Sequence, residues 1–251
     1  MPDRSATIFF HDGLAELLGR GASGPEVAYP VVRRASVKDV VEALGPPHTE
    51  VGSIVVDGAE VGFGHVLSPG ERVDIRPVEV PFDVTRPSVL RPRPLDRVAF
   101  LVDANVGRLA GLLRALGFDT AHGPGLDDAG LAWLAAEEGR VLLSRDFGLL
   151  KRKAVEFGRL VRAHEPPAQL HEILRVFGLR PPYHAFSRCV LCNAPLVPVP
   201  KAEIFDRLLP LTRIHYHDFH LCPRCDKVYW PGSHHERMQE RIDGIVRDVL
   251  A

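Results

Sequence analysis

Apolar residues alternate between two spacings in the middle of the chain. The stretch RVAFLV (97–102) is apolar at nearly every position, which is typical of a strand buried on both faces. It leads into VGRLAGLLRALG (106–117), where apolar residues recur at helical spacing and a glycine ends the pattern. The next helical pattern is DDAGLAWLAAEEG (127–139), and RVLLS (140–144) is again strand-like. This alternation predicts a parallel sheet covered by helices.

The same alternation continues to about residue 180. FGLLKRKAVEFG (147–158) is compatible with a further helix and RLVRAH (159–164) with a short strand. PPAQLHEILRVFGL (166–179) has prolines near its start, as helices often do, and predicts another helix. We therefore predict an α/β parallel-sheet domain over residues 97–180.

The first 80 residues have a different pattern. Strand-like segments lie at 7–12, 26–32, 52–61 and 69–78, the third of them interrupted by an Asp-Gly turn. Between them, SVKDVVEAL (36–44) predicts a short helix with Ser36 as its N-cap and Asp39 in the capping-box position. Strand–strand–helix–strand–strand in this length predicts an α+β domain of the β-grasp type over residues 1–80. The Pro-rich segment 81–96 is predicted to be an extended linker.

Composition and charge limit the classes of function. The net charge of −1 excludes a strongly basic protein that coats nucleic acid. The charge is unevenly distributed, however: residues 1–80 carry 7 basic and 12 acidic side chains, and residues 81–251 carry 24 basic and 20 acidic ones. Affinity for polyanions is therefore expected in the last two-thirds. No apolar run is long enough to span a bilayer, which argues against a membrane partner. The N-terminus does not resemble a signal peptide, so a cytoplasmic location is the default expectation.

Carboxylates follow the predicted strands. Asp103 ends one strand and Asp146 ends another, while Asp127 and Asp128 stand at the start of the helix between them. Ligands of an open parallel sheet bind beyond the carboxyl ends of its strands, and carboxylate oxygens suit Mg²⁺ or Mn²⁺. Such an ion can activate water for attack on a phosphodiester. The alternative is that each aspartate only caps a helix, which contributes about 1 kcal/mol.

Basic residues cluster just after Asp146. Six basic residues and two acidic ones lie between Arg145 and Arg162. The candidate contacts to a substrate with repeated phosphates are Arg145, Lys151 and Arg152. A solvated helix face is the alternative interpretation.

The four cysteines give the most specific local motif. CVLC and CPRC supply Cys189, Cys192, Cys222 and Cys225 within residues 181–251, which end in a predicted helix. Two CxxC pairs favour one tetrahedral Zn²⁺ site over a redox pair, and four thiolates leave no open position, so the zinc is predicted to be structural. Tyr229 and Trp230 nearby are interpreted as packing on this site, or as stacking on a base.

Together these motifs resemble a known family. FLVDANVGRLAGLLRALGFDT, EEGRVLLSRDFGLL and SRCVLCNAPL…CPRCDKVYWPGSHHERM are similar to the Mut-seven C-terminal RNase domain, a PIN-like nuclease with a zinc ribbon. The first domain resembles the ubiquitin-like domain of the ThiS and MoaD type that is often fused before it. The fold implied is α/β: a PIN-like parallel-sheet domain between an N-terminal β-grasp domain and a C-terminal zinc-ribbon domain over residues 181–251.

The resemblance also implies an activity and its residues. It implies an RNase that depends on Mg²⁺ or Mn²⁺ and acts through Asp103, Asp128 and Asp146, with zinc held by the four cysteines. Gly130 replaces the glutamate usual after the helix-start acid, so Asp127 is only a candidate for a fourth acid. The β-grasp segment lacks a terminal Gly-Gly, so sulfur transfer is not expected. We expect this domain to bind a protein partner or a substrate instead.

Two functions from different classes stay open at this point. The first is a metal-dependent ribonuclease, and the second is a non-catalytic RNA- or ribosome-binding adaptor stabilised by zinc. A toxin-like PIN protein ranks last, because such toxins are usually single small domains. Clustered carboxylates favour the nuclease, since bare carboxylates repel phosphate.

Overall fold

The computed structural model describes residues 4–21, 24–123 and 125–250, except for the side chains of residues 234 and 248–250. The chain divides into two compact units, the first made of Met1–Val98 and Gly125–Leu160, the second of Ala99–Pro124 and Val161–Ala251. Within the described part of the chain, no helix combines the length and apolar character that crossing a membrane requires.

Strands and helices follow one another along the chain in the described residues. The strands are β1 (Ser5–Phe10), β2 (Glu26–Pro30), β3 (Val51–Val56), β4 (Ala59–Glu60), β5 (Arg72–Pro77), β6 (Phe100–Val102), β7 (Thr120–His122), β8 (Val141–Ser144), β9 (Gly158–Leu160), β10 (Val197–Pro198), β11 (His220–Leu221) and β12 (Val228–Tyr229). The α-helices are α1 (Val37–Leu44), α2 (Gly107–Ala115), α3 (Asp128–Glu137), α4 (Phe147–Leu150), α5 (Pro166–Val176), α6 (Lys201–Ile204), α7 (Pro210–His215) and α8 (Ser233–Leu250).

In the first unit, β1 to β5 form one sheet in the order β2-β1-β5-β3-β4. β1 and β5 are parallel and the other pairs are antiparallel. The buried side chains of these strands pack with α1 into one apolar core. Ser36 caps α1 by accepting from the N–H of Asp39 at 3.1 Å, as its sequence position predicts.

The same unit contains α3, β8, α4 and β9. β8 and β9 pair in parallel, and every residue of β8 is buried. This part packs on residues 48–51 and 91 through a buried polar junction. There the guanidinium of Arg91, only 2% exposed, donates to backbone carbonyls of residues on both sides.

In the second unit, β6 and β7 pair in parallel, with Val102 opposite His122. The buried faces of α2 and α5 complete this core. Within it, the ring of Phe100 packs edge-on against those of Phe118 and Phe177. The short strands β10, β11 and β12 form a separate antiparallel sheet near the cysteines. The predicted fold class is confirmed: an N-terminal sheet domain, parallel strands with helices, and a C-terminal four-cysteine cluster compatible with a zinc ribbon.

The elements differ from the sequence prediction in three places. β7, α6, α7 and the short strands β10, β11 and β12 are not predicted by the apolar pattern. Only the first four residues of 147–158 are helical, as α4. The Pro-rich segment 81–96 buries Val84, Leu90 and Arg91, while the domain boundaries drawn from the sequence stay a prediction.

Candidate functional site

Two of the candidate acids in the first unit act as helix caps. Asp127 accepts from the N–H of Gly130 at 2.8 Å and so begins α3. Asp146 accepts from the N–H of Leu149 at 3.0 Å through Oδ1 and so begins α4. The N–H of Asp146 itself donates to the Ser144 hydroxyl at 2.9 Å. The exposed Asp146 is therefore held at the carboxyl end of β8 through its N–H and its Oδ1.

Asp128 is not the cap of its helix. It occupies the first helical position, and its Oδ2 lies 3.8 Å from the guanidinium of Arg152. The ammonium of Lys151 donates to the backbone carbonyl of Glu42 at 2.7 Å, which places this cation at the junction with α1. Arg145 directly precedes Asp146 and is half-buried. Arg152 thus lies beside a candidate acid, and its contact with phosphate stays a prediction.

Asp103 lies in the second unit at the carboxyl end of β6. Its side chain does not cap the short helical turn of residues 104–106 that follows. Instead, Oδ2 accepts from the side-chain amide of Asn105 at 2.6 Å. The capping interpretation therefore does not account for Asp103.

His122 is a candidate residue that the sequence analysis missed. β7 ends at His122 just as its neighbour β6 ends before Asp103, so the two side chains share the carboxyl edge of this strand pair. Nε2 of His122 is buried and has no hydrogen-bond partner among the described residues. Burial, and then the charge of Arg114, lower the pKa of His122, opposed by Asp103, so the ring is neutral near pH 7.

The close packing of His122 explains one glycine. A Cβ on Gly107 would lie 2.9 Å from Nε2 of His122, closer than real carbon–nitrogen contacts allow. A side chain at position 107 would therefore displace the imidazole from the first turn of α2. β7, and with it the position of His122, is difficult to predict from the sequence, because TAHG (120–123) has no apolar run that marks a strand.

The four cysteines converge in the second unit. Their sulfur atoms all lie within 4.8 Å of one another. Sγ of Cys189 is 3.5 Å from that of Cys225, and Sγ of Cys192 is 3.3 Å from that of Cys222. A tetrahedral Zn²⁺ centre with bonds of about 2.3 Å separates its sulfurs by roughly 3.8 Å. The donor set and the spacing fit, so these cysteines could bind zinc.

Arg114 connects this cluster to α2 and β7. The guanidinium is buried and donates to the carbonyl of Thr120 at 2.8 Å, and to those of Val190 and Leu191 at 3.1 and 2.8 Å. The latter two residues lie between Cys189 and Cys192. Burial lowers the pKa of Arg114, with the adjacent cysteine sulfurs opposing it. The first CxxC loop is therefore attached to the end of α2 by charge-assisted hydrogen bonds.

Asn193 makes the second connection. Its Oδ1 accepts from the N–H of Thr120 at 2.9 Å, and its amide donates to Asp119 at 2.7 Å. The backbone of Asn193 has φ of 70°, the left-handed region that asparagine adopts more readily than most residues. The turn after Cys192 thus bonds directly to the edge strand β7.

Of the two aromatic residues after the second CxxC pair, Tyr229 contacts the cysteine cluster and Trp230 packs on a neighbouring apolar cluster. The hydroxyl of Tyr229 lies 3.0 Å from Sγ of Cys189. Burial, together with that sulfur, raises the pKa of Tyr229, so its hydroxyl stays protonated and donates. The ring of Trp230 lies 6.4 Å from that of Phe219, beside the small apolar cluster of Ile204, Leu208 and Phe219.

Comparison with known families gives two matches. Residues 98–242 match the model of the Mut7-C RNAse domain, and residues 4–83 match that of Mut7-C ubiquitin. The first match covers more than half of the 251 residues. No curated protein and no solved structure matches the chain. The order of the two matches agrees with the architecture that the motifs indicate.

Proposed function

Since the chain belongs to the family of the Mut7-C RNAse domain, we propose that it is a ribonuclease that hydrolyses phosphodiester bonds with the help of a divalent metal ion. We assign Asp103, Asp128 and Asp146 as ligands of Mg²⁺ or Mn²⁺, with Asp127 as a candidate fourth acid. The structural metal is proposed to be Zn²⁺ on the four cysteines.

The observation that carries the assignment is the setting of Asp146. Asp146 lies at the end of a fully buried strand, with its backbone N–H bonded to the Ser144 hydroxyl and its carboxylate Oδ1 bonded to the N–H of Leu149, and the residue is exposed. A bound Mg²⁺ or Mn²⁺ supplies an activated water and stabilises the charge of the leaving oxygen. Arg145, Lys151 and Arg152 follow directly along the chain and are assigned to the phosphates of the RNA.

The test compares RNA cleavage by four full-length chains loaded with zinc: the parent, two variants of the candidate acids and one control variant. The substrates are labelled single-stranded RNAs, and Mg²⁺ or Mn²⁺ is added back to metal-depleted buffer. We expect Asp103→Asn and Asp146→Asn each to lower the cleavage rate by about 100-fold or more, because each removes a negative charge that the metal requires. Asparagine can replace aspartate as a helix cap, so the change at Asp146 should leave the melting temperature close to that of the parent.

The charge-matched control is Asp218→Asn. Asp218 is an exposed aspartate of the second unit that has no assigned role, and its variant should cleave at the parental rate. Parental cleavage by Asp146→Asn would refute the proposal. RNA binding by the parent without cleavage under any added metal would instead favour the adaptor function. A protein partner for the ubiquitin-like domain and a cytoplasmic location stay predictions.

A further inference from the structure

A cavity of about 360 Å³ lies in the first unit, away from the candidate acids. It is formed where α3 ends and β8 begins, with walls from residues 93–95 and 153–157. The charged side chains that line it are Arg93, Arg140, Lys153 and Glu156, and the apolar ones include Leu95 and Phe157. Three cations against one carboxylate make this cavity attractive to an anion.

The three cations are held differently. Arg140 is buried, and its Nε donates to the carboxylate of Glu138 at 2.5 Å, which fixes its guanidinium. Arg93 and Lys153 are exposed, and within the described part of the chain no acidic side chain forms an ion pair with either. A phosphate group could therefore bind Arg93 and Lys153 without displacing a carboxylate from either.

Trp133 lies on α3, the helix whose last turn contributes to the cavity wall. Its side chain is 61% exposed, which is unusual for tryptophan. Ala136, one of the cavity-lining residues, follows it by three positions, so their Cβ atoms are about 5–6 Å apart on one helix face. An exposed aromatic ring and a residue of the cavity wall therefore share one face of α3.

We propose that Trp133, Arg93, Arg140 and Lys153 form a binding site for one nucleotide of single-stranded RNA, with the phosphate in the cavity and the base stacked on the indole. The choice of RNA rests on the proposed function. Stacking on an aromatic side chain next to a basic groove is how single strands are commonly held without sequence preference.

The site is distinct from the candidate acids. Asp128 begins α3 and Asp146 follows β8, whereas the cavity lies at the other end of both elements. Four residues of strand span roughly 13 Å, so the site would hold a nucleotide outside the one that is cleaved. It would thereby contribute to RNA affinity and to the length of RNA that the protein prefers.

Binding of a labelled oligouridylate of about ten nucleotides tests this site. The full-length, zinc-loaded chain is titrated by fluorescence anisotropy in buffer without Mg²⁺ or Mn²⁺. We expect Trp133→Leu to weaken binding about tenfold. The double variant Arg93→Ala/Lys153→Ala should weaken it at least as much and lower the slope of log K against log salt by about 0.7 for the lost phosphate contact.

A matched control removes two other exposed arginines from the same unit. Arg33→Ala/Arg34→Ala should bind within about twofold of the parent, because neither residue lines the cavity. The variant Trp230→Phe leaves Trp133 as the only tryptophan, and its fluorescence should be quenched on addition of RNA. Unchanged fluorescence, parental affinity of Trp133→Leu, or equal affinities of the two double variants would overturn the proposal.

These outcomes are separable from those of the cleavage test. If Asp146→Asn abolishes cleavage while Trp133→Leu binds as the parent does, the nucleotide site is refuted and the proposed function stands. If the parent cleaves no RNA but Trp133→Leu and Arg93→Ala/Lys153→Ala both weaken binding, the site stands and the nuclease proposal does not.

Discussion

The two units each hold an added segment in place, but they do so with different chemistry. In the first unit the segment around Arg91 is joined to residues 48–51 and 156 by one buried guanidinium. It donates to the carbonyls of Val51, Thr49 and Glu156 at 2.9, 3.0 and 3.2 Å. In the second unit four thiolates, and the metal they could bind, connect the two CxxC loops. The first junction is made of protein groups alone, whereas the second contains four cysteines that could bind zinc.

At the protein-only junction a buried carboxylate is satisfied as well, whereas the Thr49 hydroxyl has no hydrogen-bond partner among the described residues. Glu50, 2% exposed, accepts from the guanidinium of Arg159 at 2.7 Å and from the N–H of Leu160 at 2.8 Å. Burial lowers the pKa of Arg91 to about 10, opposed by Glu156 and Glu50, so it is still charged near pH 7. Such a junction is stable only when each buried charge keeps its partners, so a single substitution should destabilise it strongly.

The cysteine junction is less deeply buried. Cys189 and Cys222 are fully buried, but Cys192 is half-buried and Cys225 is exposed. Its strength would come from metal–sulfur bonds rather than from exclusion of water. We therefore expect the junction of the first unit to be destabilised mainly by loss of a side chain, and that of the second unit mainly by loss of metal.

Removing one thiolate should have the largest effect. We expect Cys222→Ser to lose stoichiometric zinc and to unfold the two CxxC loops, because structural zinc contributes on the order of 10 kcal/mol to such sites. Zinc content and amide hydrogen exchange measure this, above all at Thr120, whose N–H is bonded by Asn193. A chelator should produce the same change in the parent. Full zinc content with parental protection at Thr120 would contradict the metal-dependent interpretation.

Arg91→Met should give the next largest effect. The methionine fills part of the space but leaves several carbonyls without their donor, which should cost about 3–5 kcal/mol of unfolding free energy. Denaturant unfolding measures it. Arg86→Met is the matched control, since the side chain of Arg86 is 84% exposed and its replacement should change stability by less than about 0.5 kcal/mol. Equal effects of the two variants would show that the junction adds no stability.

The elements and motifs that could be predicted from the sequence are those that depend on residues close together in the chain. α2 and α3 follow from their apolar period and from the glycines after them, and the four cysteines follow from their CxxC spacing, because both signals lie within a few residues. β7 was missed, since three residues without an apolar run become a strand only by pairing with β6 and by the bond from Thr120 to Asn193. The burial of Arg91 was also missed, since its acceptors lie 40 to 65 positions away.

The candidate acids show the same limit. The sequence identified acids at three strand-to-helix junctions but not which of them cap. The structure assigns the caps to Asp127 and Asp146, while Asp128 faces Arg152 and Asp103 bonds to Asn105. Cap geometry depends on the exact first residue of each helix, which spacing locates only to within a residue or two.

Asn193→Gly should have a moderate effect on the cysteine junction. Glycine keeps the left-handed backbone at φ of 70° but loses the bonds to Thr120 and Asp119, so we expect a cost of about 1–2 kcal/mol. Zinc competition and hydrogen exchange at Thr120 measure the result. Asn193→Asp keeps the acceptor for Thr120 but sets two carboxylates together, and should protect Thr120 better than glycine does. Parental protection in Asn193→Gly would mean that the metal alone fixes β7.

The smallest effect is expected at Lys151, a partly exposed member of the protein-only junction. Burial lowers the pKa of Lys151 below its ordinary value of 10.5, with Glu42 opposing. The folded chain therefore releases this proton at lower pH than the unfolded chain. Between the two pKa values the unfolded state binds more protons, so stability should rise with pH in that window.

Lys151→Met removes this titration and keeps most of the aliphatic side chain. The difference in unfolding free energy between the parent and Lys151→Met should therefore shift in favour of the parent as pH approaches 10.5, with constant zinc in both samples. Denaturant midpoints at a series of alkaline pH values measure it. Parallel curves for the two chains would show that the ammonium of Lys151 is as well hydrated in the folded state as in the unfolded one.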